Sequence, residues 1–471
     1  MKRGMSLQRK VLAALCPAFW AVVSVGPALA AQDAWEVLLK DIPVRITTVD
    51  AGLNMSFYVL KQTHEPVLRT DEGENYYSRI LSRWGRDLTS RNFVLCPDVS
   101  LAFAPGKKFS YDLFLSQISS ATRSFSLDSE IAGDGSCVRV RFPKPMRRYL
   151  DFLTLYEHAP TVKKDDLIEI GLGEYLPVSV QPETITLRRK RKVSRGYNSI
   201  TIHKYTGPDD PNLDNREIND FNRMQMSTIP EWVKREYAYL DSAILQTVVL
   251  IINHPDKDVR KTVYNCMDVD PLRRALYPTW KEFVDVSNVL PVGVPGAVPG
   301  RPSQYCDKGI RKRLPRPLVF INFGVNNDEQ MAAFMADFER RTSIPVSVKR
   351  LRDKDIQHTL YQSPRKYDLA IVSMGAVRPD HTAFFDYLVR ADGYYDFKLK
   401  GLGVLYERLQ LEGEPGERNA LGARMAESLS SEYVLLPLLQ VQRRFYYPRD
   451  IMNLTVGRGF LEYPEVADFR W

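Results

Sequence analysis

Lys366–Asp386 reads KYDLAIVSMGAVRPDHTAFFD, and its reading decides the fold. Leu369–Met374 is an apolar run broken only by Ser373, the pattern of a strand buried on both faces. It runs into Gly375 and Ala376, small enough for another backbone or a ligand to come close. Arg378, Asp380 and His381 then crowd around Pro379. In open α/β sheets ligands lie outside the carboxyl ends of the strands, so this strand end is a candidate binding site. A surface loop after a core strand has the same local pattern, and the surrounding chain has to separate the two.

Working outward, strands and helices alternate. Val248–Ile252 is a buried strand, Val259–Tyr277 has helical spacing interrupted at Pro271, and Leu318–Phe323 is a further strand. Asp328–Thr342 reads as a helix with Asp328 near its N-cap, and Val346–Val348 as a strand before the opening segment. This alternation predicts a parallel sheet with covering helices within Val248–Leu439. Nearer the N-terminus, Phe93–Phe103 and the strictly alternating Cys137–Phe142 are strand-like, while Tyr111–Ala121 and Met146–Tyr156 have helical spacing. Pro278–Pro317 is a Pro- and Gly-rich connection, expected to be ordered.

Lys2, Arg3, Arg9 and Lys10, the apolar stretch Val11–Val25 and the A-x-A site Ala28–Ala30 form a secretory signal peptide, with cleavage expected after Ala30. Leu15 before Cys16 argues against lipidation, and no later segment is apolar for long enough to span a bilayer. Cleavage lowers the formal net charge from +8 to +4, with 61 Lys+Arg left against 57 Asp+Glu. That balance gives no mandate for nucleic acid. The basic runs Leu187–Lys192 and Arg311–Arg316 are expected to be solvated.

About 440 mature residues exceed what one core supports, so two lobes are expected. Four mature cysteines in an oxidising compartment favour bridges, and of the three possible pairings Cys96–Cys137 with Cys266–Cys306 is preferred. No cysteine or histidine has metal-ligand spacing. Nucleophile-elbow, metalloprotease and phosphate-loop patterns are absent, and Gly171-Leu172-Gly173 opens no helix, which argues against a dinucleotide. No cofactor, metal or catalytic residue is expected.

The order of landmarks resembles the extracellular solute-binding proteins of family 5, the oligopeptide/dipeptide-binding group that serves ABC importers. His64-Glu65-Pro66-Val67-Leu68 with Asp71 and Gly73, then Leu81–Trp84, Phe93–Leu95 and Phe103–Gly106, follow the family's N-terminal segments. Gly171–Tyr175 stands where the family has GTGPY. Asp258–Arg260 through Cys266–Asp268 resembles "DvRVRqAl.yAiDR", with Val269 in place of the Arg, and Gly375–Phe384 matches "gadypDPdnf". Val434–Pro437 and Asn453–Gly457 resemble the closing segment.

The resemblance implies an α/β periplasmic-binding-protein fold of the large class, two lobes joined by two crossovers with solute enclosed between them. Lobe I would be Ala31–Thr247 plus Gln440–Trp471, with an extra β-rich subdomain around Ser56–Tyr156, and lobe II Val248–Leu439. It implies a periplasmic, monomeric receptor partnered by ABC importer membrane subunits. Asn322, Asn326, Met374, Gly375, Val377, Arg378 and Asp380 are the implied ligand-binding candidates, with Asp380 also readable as a structural turn carboxylate. Peptide-binding members hold the peptide ammonium with an Asp that aligns with Val377, and Met374 stands where Trp is common. Asn322–Asn327 lacks the Arg that dipeptide binders use. A peptide-like or other small polar solute is implied, an ordinary dipeptide is not expected, and Arg378, equally readable as solvent-facing, would favour an anionic solute. The other implied role is a sensor or interaction protein of the same fold, uncoupled from transport.

Overall fold

A computed structural model of the chain describes residues 34–470, apart from 40–41, 51–53, 72–74, 223–228, 279–282, 308–313, 323–327, 352–358, 361, 363, 377–379, 390–398, 400, 413, 441 and 455–462. The signal peptide expected over residues 1–30 therefore lies outside the described residues. The opening segment forms the strand Leu369–Gly375, within a five-stranded sheet ordered Val346–Arg350, Leu318–Asn322, Leu369–Gly375, Gln246–Ile252, Leu435–Gln440.

The sheet is mixed, not parallel. Leu318–Asn322 is parallel to both its neighbours, but Gln246–Ile252 runs antiparallel to Leu369–Gly375 and to Leu435–Gln440. An apolar run records burial on both faces and carries no strand direction, so the sequence pattern could not distinguish these cases. One face packs Val248, Leu250, Phe320 and Ile371 under the helices Lys257–Cys266, Val269–Leu276 and Asp328–Thr342. The other packs Val249, Ile251, Ile321, Ala370 and Val372 under His381–Val389, Leu402–Leu411 and Pro415–Ser431.

The helical stretch expected over Val259–Tyr277 is two helices. The break falls at Met267–Asp268, where the Asp268 carboxylate caps the second helix by accepting from the Asp270 amide at 3.2 Å. Pro271 sits in that helix's first turn, where its missing N–H leaves no bond unmade. Only Tyr149–Phe152 of Met146–Tyr156 is α-helical, and Phe93–Phe103 divides into Asn92–Pro97 and Ala102–Ala104 around a turn at Asp98.

A seven-stranded sheet is ordered Tyr175–Val180, Thr184–Arg189, Ser199–Lys204, Ala34–Leu39, Ile218–Asn222, Arg444–Tyr447, Ala238–Asp241. A separate four-stranded sheet, Leu81–Arg86 with Asn92–Pro97, Val138–Arg141 and Glu130–Gly133, packs on the helix Tyr111–Phe125. The chain passes from the large sheet to the five-stranded sheet through residues 242–245 and returns through 441–443. These links are bonded together: the Ser242 amide donates to the Arg443 carbonyl at 2.9 Å, and the Arg443 amide to Ser242 Oγ at 3.1 Å.

The basic run Leu187–Lys192 is not wholly solvated. Arg188, Arg191 and Lys192 are exposed, but Arg189 turns inward and donates to the Ala467 carbonyl at 3.1 Å. Lys190 donates to the Gly171 carbonyl at 3.0 Å, and burial pulls its pKa down to about 8. Of the second basic run, Arg316 makes a two-pronged pair with the carboxylate of Asp368. Among the described residues no helix is long and apolar enough to cross a membrane.

Cys96 is bonded to Cys137 (S–S 2.09 Å) and Cys266 to Cys306 (2.04 Å). The first staples two strands of the four-stranded sheet. The second pins the Pro-rich connection to the end of the helix Lys257–Cys266, beside Gln304, which donates to the Tyr264 and Met267 carbonyls.

The core of the large sheet holds polar groups. Asp220 faces Val37 across the parallel pair with Ala34–Leu39, is 4% exposed, and has one carboxylate oxygen without a partner. Burial raises its pKa to about 7. His64 is fully buried, with Nδ1 2.8 Å from Thr63 Oγ1, and burial followed by the Lys190 charge lowers its pKa to about 3.

Each disulfide closes a loop of about 40 residues, which in the chain-entropy account contributes about 4 kcal/mol. Replacing Cys96 and Cys137 together by Ala should lower the unfolding free energy by that order in a urea titration. An unchanged midpoint would mean that the bridge contributes nothing. The two buried titrating groups give opposed pH slopes. Stability tied to Asp220 is full below about pH 4 and falls as pH rises towards 7, whereas that tied to His64 is full above about 6.5 and falls as pH drops towards 3. The Asp220 contribution is on the order of 4 kcal/mol. Asp220→Asn should remove the fall between pH 4 and 7 and leave the acid-side loss, as read from urea midpoints across that range.

Candidate functional site

The five-stranded sheet changes character at one end. Along the face covered by Lys257–Cys266, the alternating row Ile252, Leu250, Val248 ends in Gln246, the row Leu369, Ile371 ends in Ser373, and the row Leu318, Phe320 ends in Asn322. All three replacements lie beyond the apolar core, at the carboxyl ends of Leu318–Asn322 and Leu369–Gly375. Gln246 donates through Nε2 to Ser373 Oγ, which leaves its Oε1 without a partner. Asn322 is 2% exposed, and its Oδ1 likewise has none. A buried amide oxygen left unbonded costs about 1–3 kcal/mol, so a row of such oxygens at a strand end marks acceptors held ready for a hydrogen-bond donor.

Of the sequence-predicted residues, Asn322 lies in this rim and Gly375 is paired with Gln246 across the neighbouring strand. Met374 lies on the opposite face, paired with Thr247 and packed in the core beneath Phe384 and Met425. Asn326, Val377 and Arg378 fall outside the described residues. The Asp380 carboxylate is paired with Arg418 of the helix Pro415–Ser431. The neighbouring ring of His381 donates from Nε2 to the Pro295 carbonyl at 2.5 Å and is so close to Gly422 that a Cβ there would lie 2.0 Å from it. The polar cluster after the opening strand is thus, where described, a set of tethers between loop and helix.

Sequence reasoning missed Gln246 and Ser373. Their signal is positional: a polar residue stands where the alternating row of a buried strand should continue apolar, in Gln246–Ile252 at its first residue and in Leu369–Gly375 at its fifth.

The other motifs that carry the resemblance are structural. Gly171 and Gly173 run along the backbone of Thr63 and His64, and a Cβ on either would come within 2.6 Å of it. That contact requires glycine at both positions, whatever stands between and after them. Glu65 pairs with Arg69, which reaches on to Glu465, and Arg79 donates to Glu465 at 2.8 Å, so the HEPVL segment is tied to the C-terminal residues. Arg260 donates to the Glu432 carbonyl at 2.8 Å and to its carboxylate at 2.9 Å, joining the start of the helix Lys257–Cys266 to the entry of Leu435–Gln440. Among the described residues, no three His, Cys, Asp or Glu side chains converge as metal ligands would.

No family model matches the sequence, and no curated protein is significantly similar to it. Solved structures do match. A dipeptide-binding protein from Pseudoalteromonas sp. SM9913 in complex with Met-Leu superposes with a TM-score of 0.73 at 12% identity, over 93% of this chain and 99% of that one. The protein AgaA from A. tumefaciens R10, in complex with agropinic acid, gives 0.72 at 12% identity over 90% and 94%. NikA from Brucella suis, in complex with Fe(III)-EDTA, gives 0.68 at 16% identity over 92% and 100%. Likeness of this extent at such identities is likeness of fold: the chain has the two-lobed α/β fold of the family 5 solute-binding proteins.

Proposed function

We propose that this protein is an exported receptor that encloses a small polar solute between two lobes and hands it to an ABC importer. In this reading the lobes expected from the sequence, 31–247 plus 440–471 and 248–439, shift by two residues and one residue so that the five-stranded sheet, 246–440, lies wholly in lobe II, and the rim Gln246, Asn322 and Ser373 faces the cleft. The observation that carries it is the polar ending of the lobe II sheet at the carboxyl ends of two neighbouring parallel strands, in a fold whose solved examples include complexes with a dipeptide, an opine acid and a metal chelate. In this reading the protein binds its solute and does not react with it.

The solute is not an ordinary dipeptide. Val377 aligns with the Asp that holds a peptide's ammonium group, and an enclosed ammonium without its carboxylate costs roughly 3–5 kcal/mol. A micromolar complex is worth about 8 kcal/mol in all, so the missing charge removes several powers of ten in affinity. The unbonded amide oxygens of Gln246 and Asn322 favour a solute that presents hydrogen-bond donors, while Arg378, next to Val377 in sequence, would suit an anionic group on the same solute. The same substitutions would also suit a periplasmic sensor uncoupled from transport. Transporter genes beside this one would favour uptake, and signalling genes the sensor.

Mass spectrometry of small molecules released from the purified protein should identify a polar solute that is not a free dipeptide. Added back at about 100 times its Kd, that solute should raise stability by about 2.7 kcal/mol in a thermal-shift assay. Free di- and tripeptides should leave the melting temperature unchanged. Micromolar peptide binding that disappears on acetylating the peptide amine would overturn the argument from Val377.

A further inference from the structure

Two arginines that follow the four-stranded sheet reach the helical layer of the five-stranded sheet. Arg147 donates from Nη1 to the Glu412 carbonyl at 2.9 Å, and Arg148 donates from Nη1 to the Tyr406 hydroxyl at 2.9 Å. Both acceptors belong to the helix Leu402–Leu411 and its C-cap, Glu412. Their partners are more than 250 residues away in sequence.

Each end of this contact is anchored in its own core. The Tyr406 ring is 6% exposed and packs in the cluster around Leu402, Leu409 and Phe385, so its hydroxyl is fixed to the five-stranded layer. The Arg148 guanidinium lies 5.4 Å over the ring of Phe125, which packs on the core of the four-stranded sheet. These two apolar clusters are separate, and the bridge between them is made of cationic donors on neutral acceptors. The Glu412 carbonyl also stands at the negative end of a helix, which favours a cation there. Such bonds are strong when made, yet both partners are readily solvated when they part. An apolar seam would not open this way.

We propose that Arg147 and Arg148 form a latch that holds the two lobes closed and so sets solute affinity without touching the solute. The inference rests on the two-lobed receptor reading. The main-chain links between the large and five-stranded sheets meet where Ser242 and Arg443 are bonded together, and in this reading they are the hinge. A reversible bond between the four-stranded module and the helix Leu402–Leu411 then fixes the hinge angle from a second point. Apparent affinity scales with the fraction of molecules in the closed form, so the latch raises affinity for any solute that requires closure.

The test is small-angle scattering of the purified, solute-free protein and of the variants Arg148→Ala, Tyr406→Phe and the two combined, with circular dichroism to establish that each is folded. The latch predicts that each single change lowers the closed-to-open ratio about tenfold, seen as a larger radius of gyration. The combined variant should go no further than the larger single effect, because each change breaks the same bond. Unchanged scattering in the folded single variants, or additive shifts in the combined one, would overturn the latch. Failure of the receptor reading is separate: the solute screen would be negative for wild type, whereas a failed latch leaves that screen positive and the scattering curves superimposable.

Discussion

The reciprocal bonding of Ser242 and Arg443 is the constraint on which the rest of the molecule depends. It brings the outgoing and returning links together, so the five-stranded sheet begins and ends at one point. Asp241 and Arg444, one residue further out on each link, add a two-pronged ion pair at 2.6 and 2.7 Å. Arg443 is 2% exposed, and its guanidinium lies 5.0 Å over the ring of Tyr463. A junction made of paired backbone, a buried cation and an aromatic ring has few ways to shear. Gln246 of the polar rim opens the strand that starts where the first link ends.

Much of this architecture is legible in the residues. Leu369–Val372, Val248–Ile252 and Leu318–Ile321 declare themselves as buried strands because four or five apolar residues in a row leave no polar face for water. Their directions are not written there, which is why Gln246–Ile252 proved antiparallel. The helix break at Asp268 was visible as a capping residue, yet the more conspicuous Pro271 drew the reading to the wrong position. The strand Arg444–Tyr447 has four residues, and its partners Ile218–Asn222 and Ala238–Asp241 lie two hundred positions earlier, so local pattern could not assign it. Arg189 and Lys190 illustrate the same limit for charge, since a basic run says nothing about which members find buried carbonyls.

The motifs that carry the family resemblance and the residues that would meet a solute answer to different pressures. Gly171 and Gly173 are fixed by a backbone contact, Arg260 by a helix-to-strand joint, and Asp380 and His381 by partners on neighbouring elements. Each of these residues is held by a contact within the fold itself. The rim has no such obligation. Gln246 and Ser373 carry no motif because neither is fixed by a backbone contact or a joint between elements; each is a polar residue at the end of an apolar row. Fold was therefore legible where chemistry was not.

The placement of Arg444–Tyr447 has a consequence for how the chain comes into being. This strand lies between Ile218–Asn222 and Ala238–Asp241, and both of its edges are filled by segments synthesised about two hundred residues earlier. The five-stranded sheet is built wholly from residues between them and can assemble as soon as Leu435–Gln440 emerges. The larger sheet cannot close until nearly the whole polypeptide is available, because Ala238–Asp241 has no other neighbour in it. Long-range pairing of this kind is slow, and a nascent chain lacking its final segment keeps an open sheet edge. The largest sheet of the molecule therefore waits for Arg444–Tyr447 to be made.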